Sequence, residues 1–281
     1  MSKKWRFLIY AIILLGYYFF LMLSPALYST INGDHINEIK VTGHRGAAGY
    51  APENTMTSIQ KALSMRLERI EIDIHQSKDD VVVLLHDERI DRTSNGNGLV
   101  DEYSFAELKA LDFGSYFDEG FKGEKIPSLE EALQLVNGQS ELVIEFKYGN
   151  ERYPFIEEHV IDLINQYDAS SWVIIHSFNT EVLEAIYKKA PNIRLHKLLI
   201  ANLRFTNLFI GTGLEVFKPQ DFPYIEEYSI HYYFANRSIL QELKSLGKKV
   251  NVWTMNDDEK SDNYIRLGVD GIISDYPDLI Q

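Results

Sequence analysis

From residue 39 onward, short runs of β-branched and apolar residues alternate with longer stretches whose apolar positions recur at three and four spacing. The runs cover 39–42, 69–75, 81–85, 142–147, 172–176, 194–200, 229–233, 249–254 and 271–274. The stretches between them predict helices at 54–65, 129–136, 155–166, 181–189, 238–246 and 257–267. Repeated βα units make this an α/β chain with a parallel sheet. The part after the first thirty or so residues has the length of one eight-stranded (β/α)8 TIM barrel, ~250 residues. Nine runs are one more than such a barrel takes, and a further strand near 215–217 competes for a place. The longest break in the alternation, 87–128, is rich in Gly and Asn at 92–98 and has a short helix near 105–111. It reads as a small insertion over one rim, open to two uses: a solvated connection or a substrate lid.

The first thirty-three residues follow a different pattern. Residues 7–33 carry no charged side chain, and 7–28 are almost wholly apolar and aromatic. Roughly 20 such residues span a bilayer core as a helix. Lys3, Lys4 and Arg6 precede the run, so the positive-inside rule predicts a cytoplasmic N-terminus and one transmembrane helix. The division expected is 1–33 as cytoplasmic stub and anchor, and 34–281 as an extracytoplasmic barrel domain on the cell membrane. Cleavage after Ser24-Pro25-Ala26 is the competing reading and would release a secreted protein.

Composition narrows the partners. The absence of cysteine excludes disulfides, thiolate metal sites and a cysteine nucleophile. The net charge of −13 becomes −16 once the three basic N-terminal residues are set aside. Such a surface repels nucleic acid, so an anionic substrate has to be held by local cations and a metal.

The chemistry sits at strand ends. In Glu71-Ile72-Asp73-Ile74-His75, alternation puts Glu71, Asp73 and His75 on one face and the isoleucines on the other. Buried carboxylates facing one way need a compensating cation, either a basic side chain or a hard ion such as Mg2+, Ca2+ or Mn2+. In Ile144-Glu145-Phe146-Lys147 the device recurs, with Glu145 and Lys147 sharing a face. His44, in Gly43-His44-Arg45-Gly46, and His86 follow two further runs, where barrel enzymes place catalytic groups. Two histidines suit a base and an acid near neutral pH, and Arg45 offers the planar donors that recognise phosphate.

Taken in order, His44-Arg45-Gly46, Pro52-Glu53-Asn54-Thr55, Glu71-Ile72-Asp73-Ile74, His86-Asp87, Ile144-Glu145-Phe146-Lys147, Val252-Trp253-Thr254-Met255-Asn256 and the stretch from Gly268-Val269-Asp270 to Asp275-Tyr276-Pro277 resemble the glycerophosphodiester phosphodiesterases, of the phosphatidylinositol phospholipase C-like phosphodiesterase superfamily. The resemblance covers about 39–281. It implies a (β/α)8 barrel with one divalent cation held by Glu71, Asp73 and Glu145. It further implies His44 as general base, His86 as general acid, and Arg45 and Lys147 on the phosphate. A glycerol hydroxyl would attack phosphorus and expel the alcohol through a cyclic phosphate that water opens, giving glycerol 3-phosphate. Trp253 would pack against the glycerol, with a core role as the other reading; Glu53, at the head of the helix after His44, is open to two readings, a contact with the site or a helix-head acid that needs no function to be there. His75 stays outside the site. The partners implied are a small-molecule or lipid-derived glycerophosphodiester, and the membrane through the N-terminal helix. Two enzymatic alternatives keep the same fold: a lysophospholipase D-type activity and hydrolysis of envelope glycerophosphate polymers. A surface binding protein without catalysis is the alternative of another class.

Overall fold

The computed structural model describes residues 39–203, 208–210 and 216–280. The expected membrane segment and the boundary at 33 and 34 lie outside the described residues. Among these, no helix is long and apolar enough to cross a membrane.

Eight parallel strands follow one another around a closed barrel: β1 (Lys40–Gly43), β2 (Arg69–Gln76), β3 (Glu141–Phe146), β4 (Val173–Ser177), β5 (Arg194–Leu199), β6 (Ile225–His231), β7 (Lys249–Trp253) and β8 (Gly271–Ser274). β8 pairs in parallel with β1, which in turn pairs with β2, so the parallel barrel has no free edge. The surplus run of the sequence is Val82–Leu84, which pairs antiparallel to β2 outside the barrel. The run expected at 229–233 begins earlier, at Ile225, because Glu227 enters the barrel rather than solvent. Helices lie at Met56–Ser64, Leu129–Val136, Ile156–Gln166, Thr180–Lys189, Arg237–Ser245 and Asp258–Leu267, within a residue or two of the predicted spans. After β5 the described residues form a three-stranded antiparallel sheet (Ala201–Leu203, Leu208–Ile210, Val216–Phe217) where a barrel unit would put a helix.

Alternation along each strand separates two interiors. Outward residues such as Ile70, Ile72, Ile74, Leu142, Ile144 and Phe146 join the main apolar core beneath the helices. Each such side chain contributes roughly 1.5–3 kcal/mol on burial. The inward residues of the same strands are largely polar. At the barrel floor, the Arg69 guanidinium forks onto Glu227 at 2.7 and 2.9 Å, while its Nε donates to Glu141 at 2.6 Å. Arg194 donates to the other Glu141 oxygen at 2.6 Å, and Asn251 donates to Glu227 at 2.9 Å. Burial pushes the Glu141 carboxyl up, but Arg69 and Arg194 prevail and hold it at about 2. Glu227 is likewise held low, by His196 and Arg69 against burial.

The insertion after β2 has its own small core of Val83, Leu85, Ile90, Val100, Leu108, Phe113 and Ile126. Its helix, Phe105–Ala110, starts at Ser104 with a capping box completed by Glu107. The segment is therefore a packed lobe, and residues from it reach the barrel mouth.

Two outcomes follow for the floor. Arg69→Met strips a buried carboxylate of its partner and lowers stability at pH 7 by about 3–5 kcal/mol in urea denaturation; a loss near zero would mean that the fork is dispensable. Because the folded value of Glu141 lies below the unfolded one of about 4.3, its contribution is complete above that pH and is lost as the pH falls toward about 2. Acid titration followed by circular dichroism should therefore show a shallower loss in that window for Glu141→Gln than for the parent.

Candidate metal centre and active site

The turn after β1 folds back over the barrel mouth. Arg45 and Gly46 both adopt left-handed backbone, at φ 51° and 86°, and a Cβ on Gly46 would lie 2.4 Å from Ser58 Oγ. For Arg45 that conformation costs on the order of 1–2 kcal/mol. In return, the Arg45 amide donates to Glu71 Oε2 at 2.8 Å and the Gly46 amide to the Glu71 carbonyl at 3.0 Å. Asn54, also left-handed, clasps Asp73: its Nδ2 donates to Asp73 Oδ2 at 2.8 Å, and its Oδ1 accepts from the Asp73 amide at 3.0 Å.

Glu71, Asp73 and Glu145 are all buried, each offering an oxygen within 4.8 Å of the others. Lys147 Nζ lies 2.7 Å from Asp73 Oδ1 and 2.5 Å from Glu145 Oε1, whereas Glu71 Oε1 has no hydrogen-bond partner among the described residues. Burial, then the charges of Asp73 and Glu145, pushes the Glu71 carboxyl well up. Burial raises Glu145 as well, while Lys147 and Arg45 hold Asp73 down against it. One ammonium, even with the Arg45 guanidinium 3.4 Å from Asp73, does not neutralise three clustered carboxylates. An all-oxygen donor set with an unsatisfied buried oxygen fits a hard divalent cation.

Each candidate histidine is held through Nδ1 by a carboxylate. His44 Nδ1 lies 2.6 Å from Asp275 Oδ1, and Asp275 is fixed by Asn256, whose Nδ2 donates to it at 2.6 Å. His86 Nδ1 lies 2.6 Å from Asp87 Oδ1. Since a carboxylate accepts, Nδ1 carries a proton in both rings, which leaves Nε2 as the position that takes up or gives up a proton. Asp87 accepts from Arg92 Nε at 2.6 Å, Arg92 forks onto Glu53 at 2.7 and 2.8 Å, and Glu53 also accepts from Arg45 at 2.7 Å. Burial, with Lys147 and Arg45 nearby, lowers His86 despite the pull of Asp73. His75 is fully buried; its Nε2 donates to the His86 carbonyl at 3.1 Å and its Nδ1 accepts from Tyr153 at 2.7 Å. It thereby supports the His86 backbone.

Two cavities meet here. The smaller, about 170 Å³, is lined by His44, Arg45, Glu71, Glu145 and Lys147 and walled by Phe178, Leu198, Trp253 and Ile273. The larger, about 710 Å³, shares His86, Glu145, Lys147 and Phe178 with it and adds Glu88, Tyr148, Glu151 and Asn179. Trp253 lines the smaller cavity: its Nε1 donates to the Ser229 carbonyl at 3.1 Å, and its ring meets Phe178 and His231 edge-on.

The site residues expected from the sequence, His44, His86, Glu71, Asp73, Glu145, Arg45, Lys147 and Trp253, converge on this mouth. Asp275, Asn256, Asp87 and Asn54 lay in the quoted segments without being given a role, although the adjacency of His86 and Asp87 was a usable signal. Of the two readings of Glu53, the contacts agree with the one at the site, since it accepts from both Arg45 and Arg92. Arg92 carried no signal, since its partner Glu53 is 39 residues away. His176 carried none either; it shares a level with Glu145 through the pairing of β3 and β4.

Comparison with known proteins agrees with this geometry. The Glycerophosphoryl diester phosphodiesterase family matches residues 44–279. A glycerophosphodiester phosphodiesterase of Caldanaerobacter subterraneus is 36% identical over 244 residues, covering 85% of this chain and 95% of that protein. One from Bacillus subtilis is 31% identical over 291 residues, covering 99% and 97%. Among solved structures, an Oleispira antarctica phosphodiesterase in complex with sn-glycerol-3-phosphate has a TM-score of 0.76 at 28% identity, covering 86% of this chain and 95% of that one.

If the three carboxylates hold a cation, Mg2+, Ca2+ or Mn2+ at about a hundred times its Kd stabilises the fold by about 2.7 kcal/mol in thermal unfolding. Glu71→Gln should abolish that shift. A variant that kept it in full would place the ion elsewhere.

Proposed function

The chain belongs to the glycerophosphoryl diester phosphodiesterase family and is a phosphoric diester hydrolase, and on that premise we propose that it cleaves glycerophosphodiesters to sn-glycerol 3-phosphate and an alcohol with a divalent cation, His44 and His86. The observation that carries this reading is the juxtaposition of the buried carboxylate cluster with two histidines, each fixed in one tautomer by its own aspartate. A divalent ion held by Glu71, Asp73 and Glu145 would supply positive charge to the phosphoryl oxygens and make a bound hydroxyl more acidic.

The side chains account for the proton movements. Arg45 and Lys147 orient the phosphodiester and balance its charge. His44 Nε2 takes the proton of the glycerol hydroxyl as that oxygen bonds to phosphorus. His86, protonated, gives its proton to the alcohol oxygen as the phosphorus–oxygen bond to it breaks, leaving a cyclic phosphate. Water then opens the ring with the two roles exchanged, which returns both histidines to their starting states. Asp275 and Asp87 stabilise the imidazolium each ring becomes, and Arg92 keeps Asp87 ionised.

Lysophospholipids and glycerophosphate polymers would meet the same chemistry, but the smaller cavity favours a free glycerol end. We further infer that residues 7–28 tether the enzyme with its barrel outside the cytoplasm. Recovery in the membrane fraction with Met1 intact would support this, and a mature N-terminus at Leu27 would replace it with secretion.

The deciding assay is release of sn-glycerol 3-phosphate from glycerophosphocholine with Mg2+, Ca2+ or Mn2+ and with excess chelator. Metal-dependent release is expected, reduced about 10²–10⁴-fold in His44→Ala and in His86→Ala. Full activity in either variant would remove that histidine from the mechanism.

A further inference from the structure

His176 is the one inward imidazole of the smaller cavity that the proposed mechanism leaves unused. It lies on β4, level with Glu145 on one side and His196 on the other. Only 1% of it is exposed, and neither ring nitrogen has a hydrogen-bond partner among the described residues. The His196 ring meets it edge-on at 6.2 Å between centroids, which satisfies neither nitrogen. A buried imidazole kept neutral offers one donor and one acceptor, and leaving both unmade is costly. His176 lines the cavity that also holds His44, Arg45, Glu71, Glu145 and Lys147, so an occupant of that cavity is placed to meet it.

The occupant can be assigned group by group, on the reading that the enzyme cleaves glycerophosphodiesters. The phosphoryl oxygens belong with Arg45 and Lys147, and the attacking hydroxyl belongs with His44 and the carboxylates. The group of the glycerol left over is its terminal hydroxymethyl, and the polar side chains left over are His176 and Thr254, of which His176 is the one buried with no partner for its polar atoms among the described residues. The matching is chemical as well, since a hydroxyl can donate to or accept from whichever nitrogen faces it. An acylated oxygen only accepts, and its chain would have to enter a space of about 170 Å³ closed by Phe178, Leu198, Trp253 and Ile273. Drug-sized ligands take pockets of roughly 300–1,000 Å³. The departing alcohol instead faces the larger groove of about 710 Å³, which shares His86.

We propose that His176 reads the terminal hydroxyl of the substrate's glycerol and thereby selects deacylated glycerophosphodiesters over lysophospholipids. The test measures kcat/KM for choline release from three compounds: glycerophosphocholine, 2-hydroxyethyl phosphocholine, which keeps the reacting hydroxyl but lacks the hydroxymethyl, and a 1-acyl lysophosphatidylcholine. The parent enzyme should favour glycerophosphocholine over the truncated compound by roughly 10- to 100-fold, and turn over the lysolipid more slowly still. In His176→Phe the first ratio collapses toward one, because glycerophosphocholine loses more than the truncated substrate does. His176→Gln, which retains a donor and an acceptor, keeps part of the ratio and also carries the test should the Phe variant fail to fold. An unchanged ratio in both variants, or equal turnover of lysolipid by the parent, overturns the assignment. Absence of choline release from all three compounds by the metal-loaded parent overturns the phosphodiesterase reading itself.

Discussion

Electrostatic compensation inside the barrel is the constraint on which the rest of this structure depends. The outward faces of the strands form an apolar core under the helices, whereas the inward faces carry charge from floor to mouth. At the floor, Arg69 and Arg194 balance Glu141 and Glu227 with side chains alone. At the mouth, Glu71, Asp73 and Glu145 face essentially one buried ammonium, that of Lys147, with Arg45 at the edge. The same physics thus yields a closed network at one end and an unfinished one at the other, and the unfinished end is where a cation and an anionic substrate have something to contribute.

The catalytic geometry proposed for the mouth rests on groups that never need to touch substrate. Asp275 and Asp87 decide which nitrogen of each histidine carries its proton, and the Arg92–Glu53–Arg45 chain links the insertion to the turn after β1. The insertion has its own apolar core, so Arg92 is presented from a rigid lobe rather than a loose loop. That rigidity bears on the proposed function, because Arg45 is pre-organised to hold a phosphate only if its own partners are fixed.

On the function proposed for this site, the two cavities would divide the substrate by size. A tight space next to the carboxylates suits the invariant part of a glycerophosphodiester, and the wider groove beyond His86 suits alcohols of different kinds. Such a division lets one site be exacting about glycerol and tolerant about what leaves.

Much of this was legible in the chain because strand alternation is a local property. The pattern of Ile70, Ile72 and Ile74 against Glu71, Asp73 and His75 needs only neighbouring residues to be read, and it announced both the buried sheet and its charged face. The helical spans, Trp253 at a strand end and the histidines after β1 and beyond β2 were legible for the same reason. What stayed hidden involved partners distant along the chain. The reach of Asp275 across 231 residues to His44, the bridge from Arg92 to Glu53, the closure of β8 on β1 and the orphaned ring of His176 all depend on which segments the barrel brings level. A sequence states which groups each strand presents; only the closed fold decides which of them face each other, because pairing in a buried site is set by distance in space.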